Sequence, residues 1–156
     1  MKIEILFPEF CNLFGDVGNV KYLKMCLPNA EFIETSFNSE PFFKDNDVNI
    51  VYMGPMTERA QEKIIKKLLP LKQRIEQLIN NGTSFLFTGN ALEIVGNYID
   101  DDNGNRIDCL GIFDFYSKRN MMKRYSGLTL GEYNDIEIVG FKAQFTKAYQ
   151  NSDSNH

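Results

Sequence analysis

Three observations on this 156-residue sequence predict an α/β fold built on a mostly parallel sheet. Short apolar runs, near residues 2–7, 30–37, 48–53 and 84–87, alternate with segments of helical period, which is the pattern of β-α units. The run over 48–53 is apolar almost throughout, as a strand covered on both faces requires. After Gly96 the alternation gives way to closely spaced strand signals, so an antiparallel β extension is expected to complete the sheet. One domain over residues 1–149 is expected, with a polar, disordered tail at 150–156.

Taken in order, Lys2 to Phe7 reads as the first strand, stopped by Pro8, and the turn-rich loop to Asn19 leads into a short helix over Val20 to Leu27. A second strand is expected over Ala30 to Phe37 and a third over Val48 to Met53. Gly54-Pro55-Met56 forms a turn, after which Thr57 can cap a helix. That helix carries Ala60, Ile64 and Leu68, then Leu71, Ile75, Leu78 and Ile79, at helical spacing, with lysines and arginines elsewhere. Pro70 should kink it or split it in two, and Gly82 should end it.

The stretch Thr83 to Gly96 combines an apolar strand (Ser84 to Phe87), a tight turn at Thr88-Gly89-Asn90 and a helix marked by Ala91, Leu92 and Val95. Such an elbow lifts one residue above the end of a sheet and aims the first amides of a helix at whatever lies there. Here the raised residue is Gly89, which has no side chain. Further on, Asn103-Gly104 signals a hairpin between strands at 97–99 and 106–108. More strands are expected over Ile112 to Ser117, Tyr125 to Leu130 and Ile136 to Phe141. The aspartates at 100–102 lack the oxygen pattern of a calcium loop, and no spacing of cysteine and histidine suggests zinc, so no metal is expected.

Composition narrows the function. Seventeen basic against twenty-one acidic residues argue against a nucleic-acid binder. No run approaches the length of a membrane helix, the N-terminus lacks the apolar core of a signal peptide, and three scattered cysteines fit free thiols, so a cytoplasmic location is expected. The single histidine is His156.

Several segments resemble one family in order along nearly the whole chain: Asn12-Leu13-Phe14-Gly15-Asp16-Val17-Gly18-Asn19, the turn after Tyr52-Met53-Gly54, the elbow, Leu110 to Tyr116, and Val139-Gly140-Phe141. These resemble the class I glutamine amidotransferase domains of the cobyric acid synthase (CobB/CobQ) type, and within them the GatD branch, the glutaminase subunit of lipid II isoglutaminyl synthase. The resemblance implies a flavodoxin-like three-layer sandwich, glutamine or a related amide as ligand, a Mur-ligase-like synthetase subunit as partner, and no cofactor. Members attack glutamine with an elbow cysteine in a Cys-Gly-Gly-Tyr-Gln-x-Leu-Gly pattern and carry a histidine in a Gly-Phe-Glu-Asn-His pattern. Aligned on Gly96, Gly89 stands at the cysteine, Asn90 and Ala91 at the two glycines, and Glu93 at the glutamine. Gln144 stands at the histidine, and Gly54-Pro55-Met56 at an oxyanion-hole turn, where Pro55 has no amide to donate. Family domains usually continue past the Gly-Phe pattern, so a further histidine beyond it is compatible with the resemblance.

The expected pocket is therefore Gly54, Thr88, Gly89, Asn90, Glu93 and Gln144, with Asp16, Asn19 and Arg119 as ligand-binding candidates. Asp16 and Asn19 otherwise serve their own turn, Glu93 otherwise caps a helix, and Arg119 otherwise belongs to a solvated basic loop running to Arg124. Three functional readings follow: a catalytically degenerate binding or scaffolding subunit; an amidase or glutaminase with a different nucleophile, Thr88, Glu93 or Cys11; and a flavodoxin-like small-ligand carrier.

Overall fold

The computed structural model describes residues 1–150. Its centre is a four-stranded sheet in the order β2-β1-β3-β4, formed by β1 (Lys2–Leu6), β2 (Glu31–Thr35), β3 (Ile50–Met53) and β4 (Ser84–Phe87). Every pairing in it is parallel, with Ile3 opposite both Phe32 and Ile50, and Met53 opposite Phe87. Each flank of this sheet carries its own apolar cluster. Ile3, Ile5 and Tyr52 pack with Val20, Leu23 and Leu27 of α1 (Val17–Cys26) and the residue after it. Leu6, Val51 and Met53 pack with Ile64, Ile65 and Leu68 of α2 (Glu58–Leu68) and with Ile75 and Leu78 of α3 (Lys72–Asn80). Burial on both sides is why β3 reads as an almost unbroken apolar run.

The local signals before the elbow act as expected. The Thr57 hydroxyl accepts from the Ala60 amide at 3.3 Å and caps α2. Pro70 falls in a 3-10 turn, Leu69–Leu71, that separates α2 from α3, since proline removes an amide and crowds the preceding turn. Gly82 closes α3 with φ of 87°.

The elbow differs from expectation in one respect. Gly89–Val95 is a 3-10 helix and not an α-helix, and Leu92 lies half exposed. The segment is only seven residues long and ends at Gly96, whose backbone is pressed against Phe115, so a regular α-helix has no room to propagate.

The β extension forms two further sheets. One has the order β10-β7-β5-β6, from β5 (Tyr98–Asp100), β6 (Arg106–Asp108), β7 (Phe115–Arg119) and β10 (Thr146–Gln150). Asp101 holds the Asn103-Gly104 turn by accepting from the amides of Asn103 and Asn105, both at 2.8 Å, which gives that carboxylate a structural use. The other is a two-stranded ribbon, β8 (Tyr125–Tyr133) and β9 (Ile136–Gln144), closed at Asn134-Asp135 with φ of 49° and 63°, the geometry of a type I′ turn. Both ribbon strands run further than their apolar cores suggest, because cross-strand pairing extends them, and Leu128, Leu130, Val139 and Phe141 on one face are exposed. The strand expected over Ile112 to Ser117 begins instead at Phe115 and includes Arg119. Gln150, assigned by the sequence to the tail, closes β10 opposite Phe115, and residues 151–156 with His156 lie outside the described residues.

Candidate functional site

Strands β1, β3 and β4 end together, so the segments Phe7–Cys11, Gly54–Met56 and Thr88–Asn90 meet above one edge of the parallel sheet, the usual place for a site in such folds. A cavity of about 410 Å³ opens there, bounded by Pro55, Met56, Gly89, Asn90 and Glu93 on one side and by Phe141 to Thr146 on the other. The ends of β4 and β9, distant in sequence, thus bring Gly89, Asn90, Glu93 and Gln144 around one space. Thr88 and Gly54 do not line it. They sit behind it, in a polar cluster centred on Asp16.

Asp16 is buried and accepts from the Asn19 amide at 2.8 Å, from the Thr88 hydroxyl at 3.1 Å and from the Tyr52 hydroxyl. The expected local role of Asp16 and Asn19 therefore holds only in part: the carboxylate also ties the loop to β3 and to the end of β4. Gly54 is required in this arrangement, since a side chain there would run into the Asp16 carboxylate and the Cys11 carbonyl. Burial, then the bond to Asp16, pushes the Tyr52 hydroxyl above its usual titration range.

Gly89 has φ of 58°, the left-handed region that glycine enters without strain. A Cβ built on it would stand 2.8 Å from Pro55 Cβ, closer than real Cβ atoms approach one another. The position at the head of the elbow has neither a side chain nor space for one. The neighbouring turn offers little as an oxyanion hole: Pro55 has no amide, and the Met56 amide already donates to Asn90 Oδ1 at 3.0 Å. Asn90 in turn donates to the Met56 carbonyl at 2.8 Å, so its side chain acts as a clamp between the turn before α2 and the elbow.

Two site residues take different surroundings from those expected. Glu93 is half-buried and does not cap the helix; its Oε2 accepts from Gln61 Nε2 at 2.9 Å. Burial holds its carboxyl above the usual range, against the opposing effects of that hydrogen bond and the Arg119 charge. Arg119 is not in a solvated loop: it is the last residue of β7, it is 8% exposed, and it donates to Gln61 Oε1 at 2.7 Å. Gln61 was not foreseen. It is fully buried, donates also to the Asn90 carbonyl at 2.6 Å, and joins Asn90, Glu93 and Arg119 through one amide. Its spacing with Ile65 and Leu68 puts it on the buried stripe of α2, the one signal by which the sequence marks it.

The thiols are elsewhere. Cys11, a candidate nucleophile, is buried and does not line the cavity; burial, with the Glu9 and Asp16 charges, pushes its thiol up to about 12. Cys109 is pushed up to about 12 by burial first. Cys26 is exposed. Native protein treated with iodoacetamide at pH 8 is expected to be alkylated at Cys26 alone, with Cys11 and Cys109 more than a hundredfold slower until denaturant is added. Peptide mapping by mass spectrometry checks this, and rapid labelling of native Cys11 would contradict it.

Comparison with known proteins gives relatives of low identity. No protein-family model matches the chain. It is 22% identical over 140 residues, 88% of this chain and 58% of the relative, to subunit GatD of the glutamine-hydrolysing lipid II isoglutaminyl synthase of Staphylococcus aureus. It is 25% identical over 129 residues, 81% of this chain and 50% of the relative, to subunit GatD of the same synthase from Streptococcus pneumoniae. The chain is GatD-like. It spans about half the length of the curated relatives it matches.

Among the described residues that line the cavity there is no cysteine and no histidine. Its polar lining includes the Glu93 carboxyl and the Gln144 amide, and Leu13, Phe14, Met56 and Phe141 supply apolar wall. Among the described residues no group of three potential ligands is placed to hold a metal ion, and no helix is long and apolar enough to cross a membrane.

Proposed function

We propose that the chain is a glutamine amidotransferase module of the GatD and cobyric acid synthase type, in a flavodoxin-like three-layer arrangement. On this reading its elbow has lost the nucleophile, and it serves as a binding or scaffolding partner of a cytoplasmic Mur-ligase-like synthetase. The observation that carries the reading is Gly89. It lines the cavity at the head of the elbow, in a left-handed conformation and with Pro55 in the volume a side chain would need. Supporting it, the Met56 amide is engaged by Asn90, Gln144 stands at the mouth where the family pattern has histidine, and both buried thiols are held protonated. The relatives are by name subunits of a glutamine-hydrolysing synthase, which favours an amide ligand for the cavity and a synthetase as partner.

One observation favours a hydrolase using Thr88, namely that its hydroxyl donates to the Asp16 carboxylate, an acceptor placed as a base would be. Thr88 lies outside the cavity lining, however, so a ligand seated beside Gly89 is not delivered to it. Incubating the purified chain with glutamine and measuring ammonia decides the matter. No release above the blank is expected, with identical traces for Cys11→Ser and Thr88→Val. Ammonia release by the intact chain defeats the degenerate reading, and its loss in one variant identifies the nucleophile.

A further inference from the structure

A second cleft, of about 430 Å³, shares Arg124 and Phe145 with the first cavity and is otherwise lined by residues that the first does not include. Five cations line it: Lys118, Arg119, Lys123, Arg124 and Lys147. Lys118 and Lys147 are directly opposite one another in the antiparallel β7–β10 ladder. Like charges so placed repel at Cβ separations of about 5 Å, and a sheet does not gain from them unless something negative lies between. The two carboxylates of the cleft have other partners. Asp100 pairs with Arg106 at 3.1 Å, and Asp101 holds the Asn103-Gly104 turn. Among the described residues Lys118, Lys123 and Lys147 have no ion-pair partner; Arg119 pairs with Glu62 at 3.5 Å and donates to Gln61, while its Nε has no hydrogen-bond partner.

The lysines are also organised. The Lys118 ammonium stands 5.6 Å from the ring centres of both Tyr116 and Tyr149, members of a stack that continues to Tyr98. The Arg124 guanidinium stands 5.6 Å from the Phe145 ring. Cation-π contacts of this kind hold long side chains over a fixed floor and lower the entropy lost when a ligand engages them. Point-charge ammoniums beside a guanidinium suit a compact, multiply charged oxyanion better than a single carboxylate.

We propose that this cleft binds a polyphosphate group, with Lys118 and Lys147 as the central pair and Lys123 and Arg124 closing over it. The inference does not depend on what the elbow cavity does. Calorimetric titration of the full chain with inorganic pyrophosphate in 0.15 M salt tests it, with sulfate at matched ionic strength as the comparison. Pyrophosphate is expected to bind at least tenfold more tightly than sulfate. Lys118→Gln/Lys147→Gln and, separately, Lys123→Gln should each weaken it, the pair by tenfold or more, while Lys21→Gln on the exposed face of α1 removes the same charge without effect. Equal affinity for the two anions overturns the proposal, and so does a double variant that binds pyrophosphate as the unaltered chain does or no worse than Lys21→Gln.

Discussion

Gly89→Cys is expected to lower the melting temperature by about 4–24 °C and to produce no glutaminase activity. Two costs combine. A residue with a side chain held at φ of 58° costs about 1–3 kcal/mol, and driving a Cβ to within 2.8 Å of Pro55 adds about 1–3 kcal/mol of overpacking. At about 2–4 °C per kcal/mol for a chain of this size, those terms give the stated shift. The contact with Pro55 also predicts a coupling. In Gly89→Cys/Pro55→Gly the second change should recover part of what the first lost, so that the pair departs from additivity by about 1–3 kcal/mol. Thermal melts of Gly89→Ala, Gly89→Cys and the double variant measure each quantity. A Gly89→Ala protein within about 0.5 kcal/mol of the parent would mean that the elbow is not closed to side chains, leaving the loss of the nucleophile a matter of chemistry alone.

Glu4→Leu is expected to cost about 3–6 kcal/mol and to lower the melting temperature by at least about 6 °C. Glu4 is fully buried in β1. It accepts from the Thr35 hydroxyl at 2.6 Å, the Phe42 amide at 2.6 Å and the Phe43 amide at 2.8 Å. Leucine fills the space and leaves two buried amides and a hydroxyl without acceptors. Glu4→Gln, which keeps one acceptor oxygen, should lose less. It also reports on titration, because burial, opposed by the three hydrogen bonds, raises the Glu4 carboxyl above its ordinary 4.5. The folded protein then holds more protons than the unfolded chain as pH rises from 4.5 through the folded value, so this group's contribution to stability falls across that window. The advantage of the parent over Glu4→Gln is therefore expected to be largest near pH 4 and smaller at pH 7. Urea denaturation at the two pH values checks the sign, and a gap that widens with pH contradicts it.

Much of the elbow was legible because its rules are local. An apolar run ending at Thr88-Gly89-Asn90 specifies strand and turn, and a missing side chain at Gly89 is plain from the sequence. The lysine cluster near 118–124 was visible too, but not its relation to Lys147, since β10 reads as polar tail until β7 pairs with it. The surroundings of Glu93 and Arg119 were not legible for one reason: each is polar in isolation, and its burial comes from elements far away in the chain. Gln61 and Arg119, for example, are 58 residues apart.

The α/β class, the split of the long helix at Pro70, the hairpin at Asn103-Gly104 and the glycine at the head of the elbow are all readable from the order of residues. These follow from backbone preference and from side-chain period, which act within a few residues. That Asp16 binds Thr88, 72 positions away, that Glu4 is held by Thr35, Phe42 and Phe43, and that Pro55 fills the space beside Gly89 emerge with the folded chain. Those contacts depend on which strands lie side by side and where their ends meet, and strand order is set by the packing of the whole core.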